Sequence, residues 1–193
     1  PIPAIAATFS DNCTPLGSLV ITQSPVAGTM VGLGITTVTI TATDLSGNSS
    51  SSIINVTVID ATKPVIITPS NITLNLNNNC QAIVPDFLVT LVVSDNCTAS
   101  GSIIKTQTPA AGSVITGVAS TNVLIEATDA SGNKESVTVL FITKDVTPPI
   151  VVCKGASNLY LDGSGNATLN ASAVDNGSSD NCSPVLNLSL SRT

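Results

Sequence analysis

The sequence predicts an all-β protein assembled from β-sandwich repeats of about 85 residues, and three observations predict it. Val, Ile, Thr, Ser and Asn dominate a 193-residue chain in which aromatics make up 2% and charged residues 9%. β-Branched side chains suit a pleated, half-buried surface, while Asn, Asp, Ser and Gly suit its turns. Apolar residues alternate at every second position or form short Val/Ile runs, and no 3.6-residue periodicity persists for three turns. Finally, Asp-Asn-Cys recurs at 11–13, 95–97 and 180–182, at spacings of 84 and 85 residues.

The repeat continues beyond that tripeptide. SPVAG (24–28) answers TPAAG (108–112), TATDLSGN (41–48) answers EATDASGN (126–133), and DATKP (60–64) answers DVTPP (145–149). Ordered matches at one offset mean a chain of similar units. Proline stiffens a connector and ends the preceding ladder, so Lys63-Pro64 and Pro148-Pro149 mark the boundaries. Residues 1–63 are then the C-terminal part of one repeat, 64–147 a complete repeat, and 148–193 the N-terminal part of another. The two partial units overlap around Asp-Asn-Cys and together cover a whole repeat, so the ends read as cut from a longer array.

Within the complete repeat, Ile72-Thr73-Leu74-Asn75-Leu76 alternates apolar with polar. Val123, Ile125 and Ala127 share one face of a second strand, and Val137, Val139 and Phe141 share one face of a third. Asp129-Ala130-Ser131-Gly132-Asn133 joins these two as a hairpin loop, with Gly and Asn available for positive φ. About seven short strands per repeat fit a sandwich whose inner faces are filled by Val, Ile and Leu.

Prolines followed by Cys (Pro148-Pro149, Cys153), the central Asp-Asn-Cys, the ATDxSGN stretch and a closing D-x-T-x-P resemble the hyalin repeat domain. The likeness spans all of 64–149 and most of the partial units. It implies an immunoglobulin-like fold, with the sandwiches arranged end to end, extracellular placement, a role in adhesion or extended surface architecture, and no catalytic residues. The third unit departs from the pattern: LYLDGSGNATLNASAVDNGSSDNC (159–182) lacks the Ala-Ile-Val-Pro segment of residues 82–85.

The cysteines divide among the units as one, two and two. Pairing within units predicts disulfides Cys80–Cys97 and Cys153–Cys182, each worth roughly 3 kcal/mol, and places the partner of Cys13 upstream of Pro1. Thiols or a metal site are the other reading, but the chain has no His and no CxxC to build a zinc site. Disulfides require an oxidising compartment.

Composition excludes several functions. The net charge is −6, and the basic residues Lys63, Lys105, Lys134, Lys144, Lys154 and Arg192 are scattered, which argues against nucleic acid. No apolar run approaches the roughly 18 residues of a bilayer span. Without His, neither Ser-His-Asp nor Cys-His chemistry can be assembled, so no enzyme is expected. Gly163-Ser164-Gly165 reads as a hairpin loop.

Seven acidic residues fall at repeat-equivalent places: Asp11, Asp95 and Asp180; Asp44 and Asp129; Asp60 and Asp145. Asp caps turns through nearby backbone amides, which explains such a pattern without any ligand. The functional alternative is Ca²⁺, which takes carboxylate, amide and carbonyl oxygens; its expected ligands are Asp95, Asp129, Asp145, Asp175 and Asp180. Asp175-Asn176 and Asp180-Asn181 form the densest cluster.

Glycosylation sequons begin at Asn12, Asn48, Asn55, Asn71, Asn96, Asn166, Asn170, Asn176, Asn181 and Asn187, against about four expected by chance. The function expected from all of this is a secreted or cell-surface structural segment of a stalk, fibre or filament. Its partners would be neighbouring repeats or identical subunits, head to tail, with glycans as further candidates. A glycan- or receptor-binding adhesin module, or accessory repeats of a larger secreted enzyme, are the alternatives. Sugar platforms usually need exposed Tyr or Trp, and this chain has one Tyr and no Trp.

Overall fold

The computed structural model describes residues 1–155 and 158–191; Ala156, Ser157, Arg192 and Thr193 lie outside them. The chain is all-β, with strand at 36% and helix at 5%. It divides into two compact units, Pro1–Thr62 and the chain from Lys63 onward. The third sequence repeat therefore groups with the complete one.

The first unit is a three-stranded antiparallel sheet of β1 (Val20–Ser24), β2 (Gly34–Thr43) and β3 (Ser49–Val58), with β2 in the middle. The β2–β3 ladder runs unbroken from Gly34 opposite Val58 to Thr43 opposite Ser49. Its core is small: Ile2, Val38 and Ile40 are buried, with Ile5, Phe9, Val31 and Val56 against them. Gln23 pins the N-terminal segment to this sheet, its Nε2 donating to Pro3 O at 3.0 Å while its Oε1 accepts Ile5 N at 3.0 Å.

The second unit begins with the complete repeat, whose strands are β4 (Val65–Ile66), β5 (Ile72–Asn75), β6 (Gln81–Ile83), β7 (Val93–Ser94), β8 (Ile104–Thr108), β9 (Val114–Thr116), β10 (Ser120–Thr128) and β11 (Lys134–Lys144). A four-stranded sheet runs β5-β11-β10-β8, and β4-β7 and β6-β9 form two further pairs. The alternation expected from the sequence is realised. Val123, Ile125, Ala127, Val139 and Phe141 are fully buried, and Val137 packs on the same cluster with Leu76, Val84, Phe87, Leu91, Val93 and Ile103. β5 lies parallel to β11, with Ile72 opposite Phe141 and Leu74 opposite Thr143.

Gln107 repeats the clamp of Gln23, donating to Pro85 O at 2.8 Å and accepting Phe87 N at 2.9 Å. Such long side chains satisfy backbone groups that the irregular segment cannot pair with itself.

The third repeat keeps local features of the second at an offset of 85 residues. Ile150 pairs with Ser179 just as Val65 pairs with Ser94. In the loop Asp162–Asn166, Asp162 N donates to Asn166 O at 2.7 Å and Gly165 N to Asp162 O at 3.0 Å. In Asn77–Gln81 the corresponding bonds are Asn77 N to Gln81 O at 2.8 Å and Cys80 N to Asn77 O at 2.9 Å. A short helix, α1 (Ala171–Val174), stands where the second repeat has none.

The cysteine pairing differs from expectation. Cys80 is bonded to Cys182, not to Cys97, and Cys182 is not bonded to Cys153. Their Cα atoms are 5.0 Å apart, inside the usual range for a bridge. The physical reason lies in the docking of the third Asp-Asn-Cys loop on the Asn77–Gln81 turn, where Asn181 Nδ2 donates to Asn77 O at 3.2 Å. Cys97 Sγ instead accepts from Asn96 Nδ2 at 3.1 Å, and Cys13 and Cys153 are exposed thiols.

Candidate functional site

Three Asp-Asn-Cys loops are built alike. Asp11 Oδ1 accepts Cys13 N at 2.9 Å and Thr14 N at 2.6 Å. Asp95 Oδ1 accepts Cys97 N at 2.9 Å and Thr98 N at 2.7 Å, and Asp180 Oδ1 accepts Cys182 N at 2.8 Å and Ser183 N at 2.7 Å. Each aspartate thus presents the next-but-one residue, the cysteine, at the apex of a fixed turn. The Thr14 N–H, then that of Cys13, hold the Asp11 carboxyl below the ordinary carboxylate value, and the N–H groups of Cys182 and Ser183 do the same for Asp180.

A second loop type carries D-x-S-G-N at 44–48, 129–133 and 162–166. Its aspartate accepts the N–H groups two and four residues on: Ser46 and Asn48 for Asp44, Ser131 and Asn133 for Asp129, Ser164 and Asn166 for Asp162. The glycine takes positive φ in all three, 87° at Gly47, 90° at Gly132 and 78° at Gly165. Asn77-Asn78-Asn79-Cys80-Gln81 is a fourth copy, with Asn77 Oδ1 accepting Asn79 N and Gln81 N. Cys80 occupies its glycine place at φ 59°, the sole non-glycine at positive φ among the described residues. The disulfide therefore starts from a left-handed position that disfavours any residue with a Cβ.

These loops gather the carboxylates expected to ligate Ca²⁺ into pairs, not into one cluster. Asp95 and Asp129 have carboxylate oxygens within 4.8 Å of each other, and Ala130 N donates to Thr98 Oγ1 at 3.1 Å, tying the two loops together. Asp129 is 3% exposed. Burial alone would raise its carboxyl, but the Asn133 amide and the N–H groups of Asn133, Ser131 and Gly132 hold it below the ordinary range. Asp95 Oδ2 is shielded from solvent and accepts no hydrogen bond among the described residues, so it has lone pairs with which to meet a cation. In the first unit the Asn48 side-chain amide and then its N–H hold the Asp44 carboxyl below the ordinary carboxylate value, against a small opposing effect of the Asp11 charge.

Asp145 lies close enough to Asp180 to influence its carboxyl, and its own Oδ1 accepts Thr147 N at 3.0 Å. Asp175 and Asp180 both line a cavity of about 350 Å³ with Ser178, Ser179 and Ser183. Ca²⁺ takes six to eight oxygens, so each pair needs carbonyls or water to complete a shell. Of the ten sequon asparagines, all are exposed except Asn181, which is partly buried at the disulfide.

No family model matches the chain, and no curated protein matches it either. No helix among the described residues is long and apolar enough to cross a membrane.

Proposed function

We propose that this chain is a structural segment of an extracellular stalk or fibre, in which immunoglobulin-like repeats of the hyalin type serve spacing and adhesion without catalysis. The observation that supports this reading is the Cys80–Cys182 disulfide. It joins a turn of one sequence repeat to the Asp-Asn-Cys loop of the following one, so successive repeats are linked by a second covalent path besides the backbone. Such a bond persists in an oxidising compartment and is rare where thiols are kept reduced. A charge-poor surface bearing exposed sequon asparagines suits a protein solvated or covered by glycans or neighbouring repeats.

Labelling intact source material with a membrane-impermeant thiol reagent, before and after reduction, tests this. The proposal expects Cys80 and Cys182 to be blocked at first and labelled from outside once reduced. Reactive thiols at both positions without reduction, or labelling that requires lysis, contradict it.

A further inference from the structure

Asn176-Gly177 is the one Asn-Gly pair in the chain. Glycine has no Cβ to shield its nitrogen, so the side-chain carbonyl carbon of a preceding asparagine comes within reach of attack. The structure leaves this pair open on both sides. Asn176 is exposed, and its side-chain amide makes no hydrogen bond among the described residues. Gly177 takes φ 91°, and nothing lies within 4 Å of where a Cβ on it would stand. Other loop asparagines are held. Asn48 Nδ2 donates to Asp44 Oδ2 at 2.9 Å, Asn133 Nδ2 to Asp129 Oδ2 at 2.8 Å and Asn181 Nδ2 to Asn77 O at 3.2 Å.

The pair also stands where a change in the main chain is felt. Asp175 and Ser179 flank it, bridged to Cys153 and Ile150. Between those bridges Asn176 N donates to Val152 O at 2.8 Å, while Ile150 and Ser179 exchange backbone bonds of 2.7 and 2.9 Å. Asp180 follows at once and accepts the N–H of the disulfide-bonded Cys182. At the offset of 85 residues the complete repeat has Leu91-Val92, which carries no side-chain amide to react.

We infer that Asn176 is a site of spontaneous deamidation in the folded protein, which converts the 175–179 loop of the third repeat into aspartate and isoaspartate forms. The Gly177 nitrogen gives up its proton to solvent base and bonds to Asn176 Cγ; the Cγ–Nδ2 bond breaks and ammonia departs, leaving a five-membered succinimide. Water then adds to either ring carbonyl and opens it. One water is consumed, one ammonia is released, and nothing is oxidised or reduced. Opening one way gives aspartate, which adds a negative charge between Asp175 and Asp180. Opening the other way gives isoaspartate, whose main chain runs through Cβ and Cγ and is one carbon longer. A lengthened segment cannot keep both flanking bridges in register, so the Ile150–Ser179 pair opens and the turn that carries Cys182 loosens. Because neither product returns to asparagine, the contact between the second and third repeats changes with the age of the molecule. This goes beyond the stalk reading and does not depend on it.

Peptide mass spectrometry decides the matter. The 193-residue chain, produced without glycosylation because a glycan on Asn176 would occupy the leaving nitrogen, is kept folded in mildly alkaline buffer and sampled over days. An intact Cys80–Cys182 peptide reports the fold. The inference expects the Asn176 peptide to convert faster than every other asparagine peptide, giving two products with isoaspartate in excess. Gly177→Ala should slow the conversion on the order of tenfold, since a Cβ obstructs the attacking nitrogen. Asn176→Gln, which keeps the glycine at its positive φ, should remove it on the same time scale. Hydrogen exchange should show lost protection at the Ile150 and Ser179 amides in the isoaspartate fraction and retained protection in Asn176→Asp. Conversion no faster than at other asparagines, conversion only in denaturant, or isoaspartate chains whose bridge amides stay protected each overturn the inference. Those outcomes leave the extracellular reading intact, since thiol labelling judges that separately.

Discussion

Cys80 and Cys182, 102 residues apart, are joined by a disulfide whose first half stands in a left-handed turn position held by glycine in the three D-x-S-G-N loops. The covalent link thus costs local backbone strain and closes a long loop that contains β6 to β11. Closing a loop of that size restricts the unfolded chain by about 4–5 kcal/mol in the chain-entropy model.

Cys182→Ser should therefore destabilise the second unit by roughly 2–5 kcal/mol. Denaturant unfolding with and without reductant checks it. Wild type should fall to the level of the variant on reduction, and the variant should be indifferent to the reductant.

Adding Cys80→Gly to Cys182→Ser should recover up to about 1 kcal/mol, because glycine adopts φ near +59° without the Cβ clash and loses only part of that gain to its greater freedom when unfolded. In the oxidised wild-type background the same Cys80→Gly change should instead destabilise, since the bridge is lost. A lower melting temperature for the double variant than for Cys182→Ser alone would show that the turn is not strained at Cys80.

Acid should weaken both units. Asp11 and Asp44 in the first, and Asp129, Asp162, Asp175 and Asp180 in the second, all have carboxyls held below the ordinary carboxylate value by hydrogen bonds from backbone and side-chain groups. A carboxyl with a lowered folded-state value binds more protons when unfolded, so its contribution is complete above the unfolded value and is lost as the pH falls through the folded one. Thermal unfolding across a pH series should show stability level near neutrality and declining below about pH 4. Asp129→Asn should flatten that decline in the second unit.

Calcium is testable in the same format. If the shielded Asp95 Oδ2 and Asp129 form part of a Ca²⁺ site, adding the ion raises the melting temperature and EDTA lowers it, and Asp95→Asn removes both responses. Melting curves insensitive to Ca²⁺ and EDTA would assign these aspartates to turn capping alone.

Much of the fold was readable because its period-2 signal is local. The faces Val123-Ile125-Ala127 and Val137-Val139-Phe141, and the Asp129–Asn133 loop between them, follow directly from alternation and turn chemistry. The Asp-Asn-Cys turns likewise announce themselves as aspartate caps. The disulfide partner did not, because spacing within one repeat cannot reveal that the Asn77–Gln81 turn meets the loop of the next repeat. A signal for it existed nonetheless: Asn77-Asn78-Asn79-Cys80-Gln81 aligns with Asp162-Gly163-Ser164-Gly165-Asn166, so Cys80 stands in a glycine's place. Residues 1–10 were equally opaque, since their anchorage depends on distant partners, the Gln23 side chain and the backbone of Gly28 and Thr29. The aspartate pairs also escaped, because Asp95 and Asp129 are brought together by a tertiary contact between their loops, in which Ala130 N donates to Thr98 Oγ1, rather than by sequence spacing.

Pulling a single molecule by its ends separates a covalently tied structural segment from an ordinary pair of folded units. With the disulfide formed, tension passes from Cys80 to Cys182 through sulfur, and the intervening residues add no length. Reductant should lengthen the fully extended chain by roughly 350 Å, from about 3.3–3.6 Å for each of the 102 residues released. Equal extension with and without reductant would contradict the tie between repeats on which the proposed function rests.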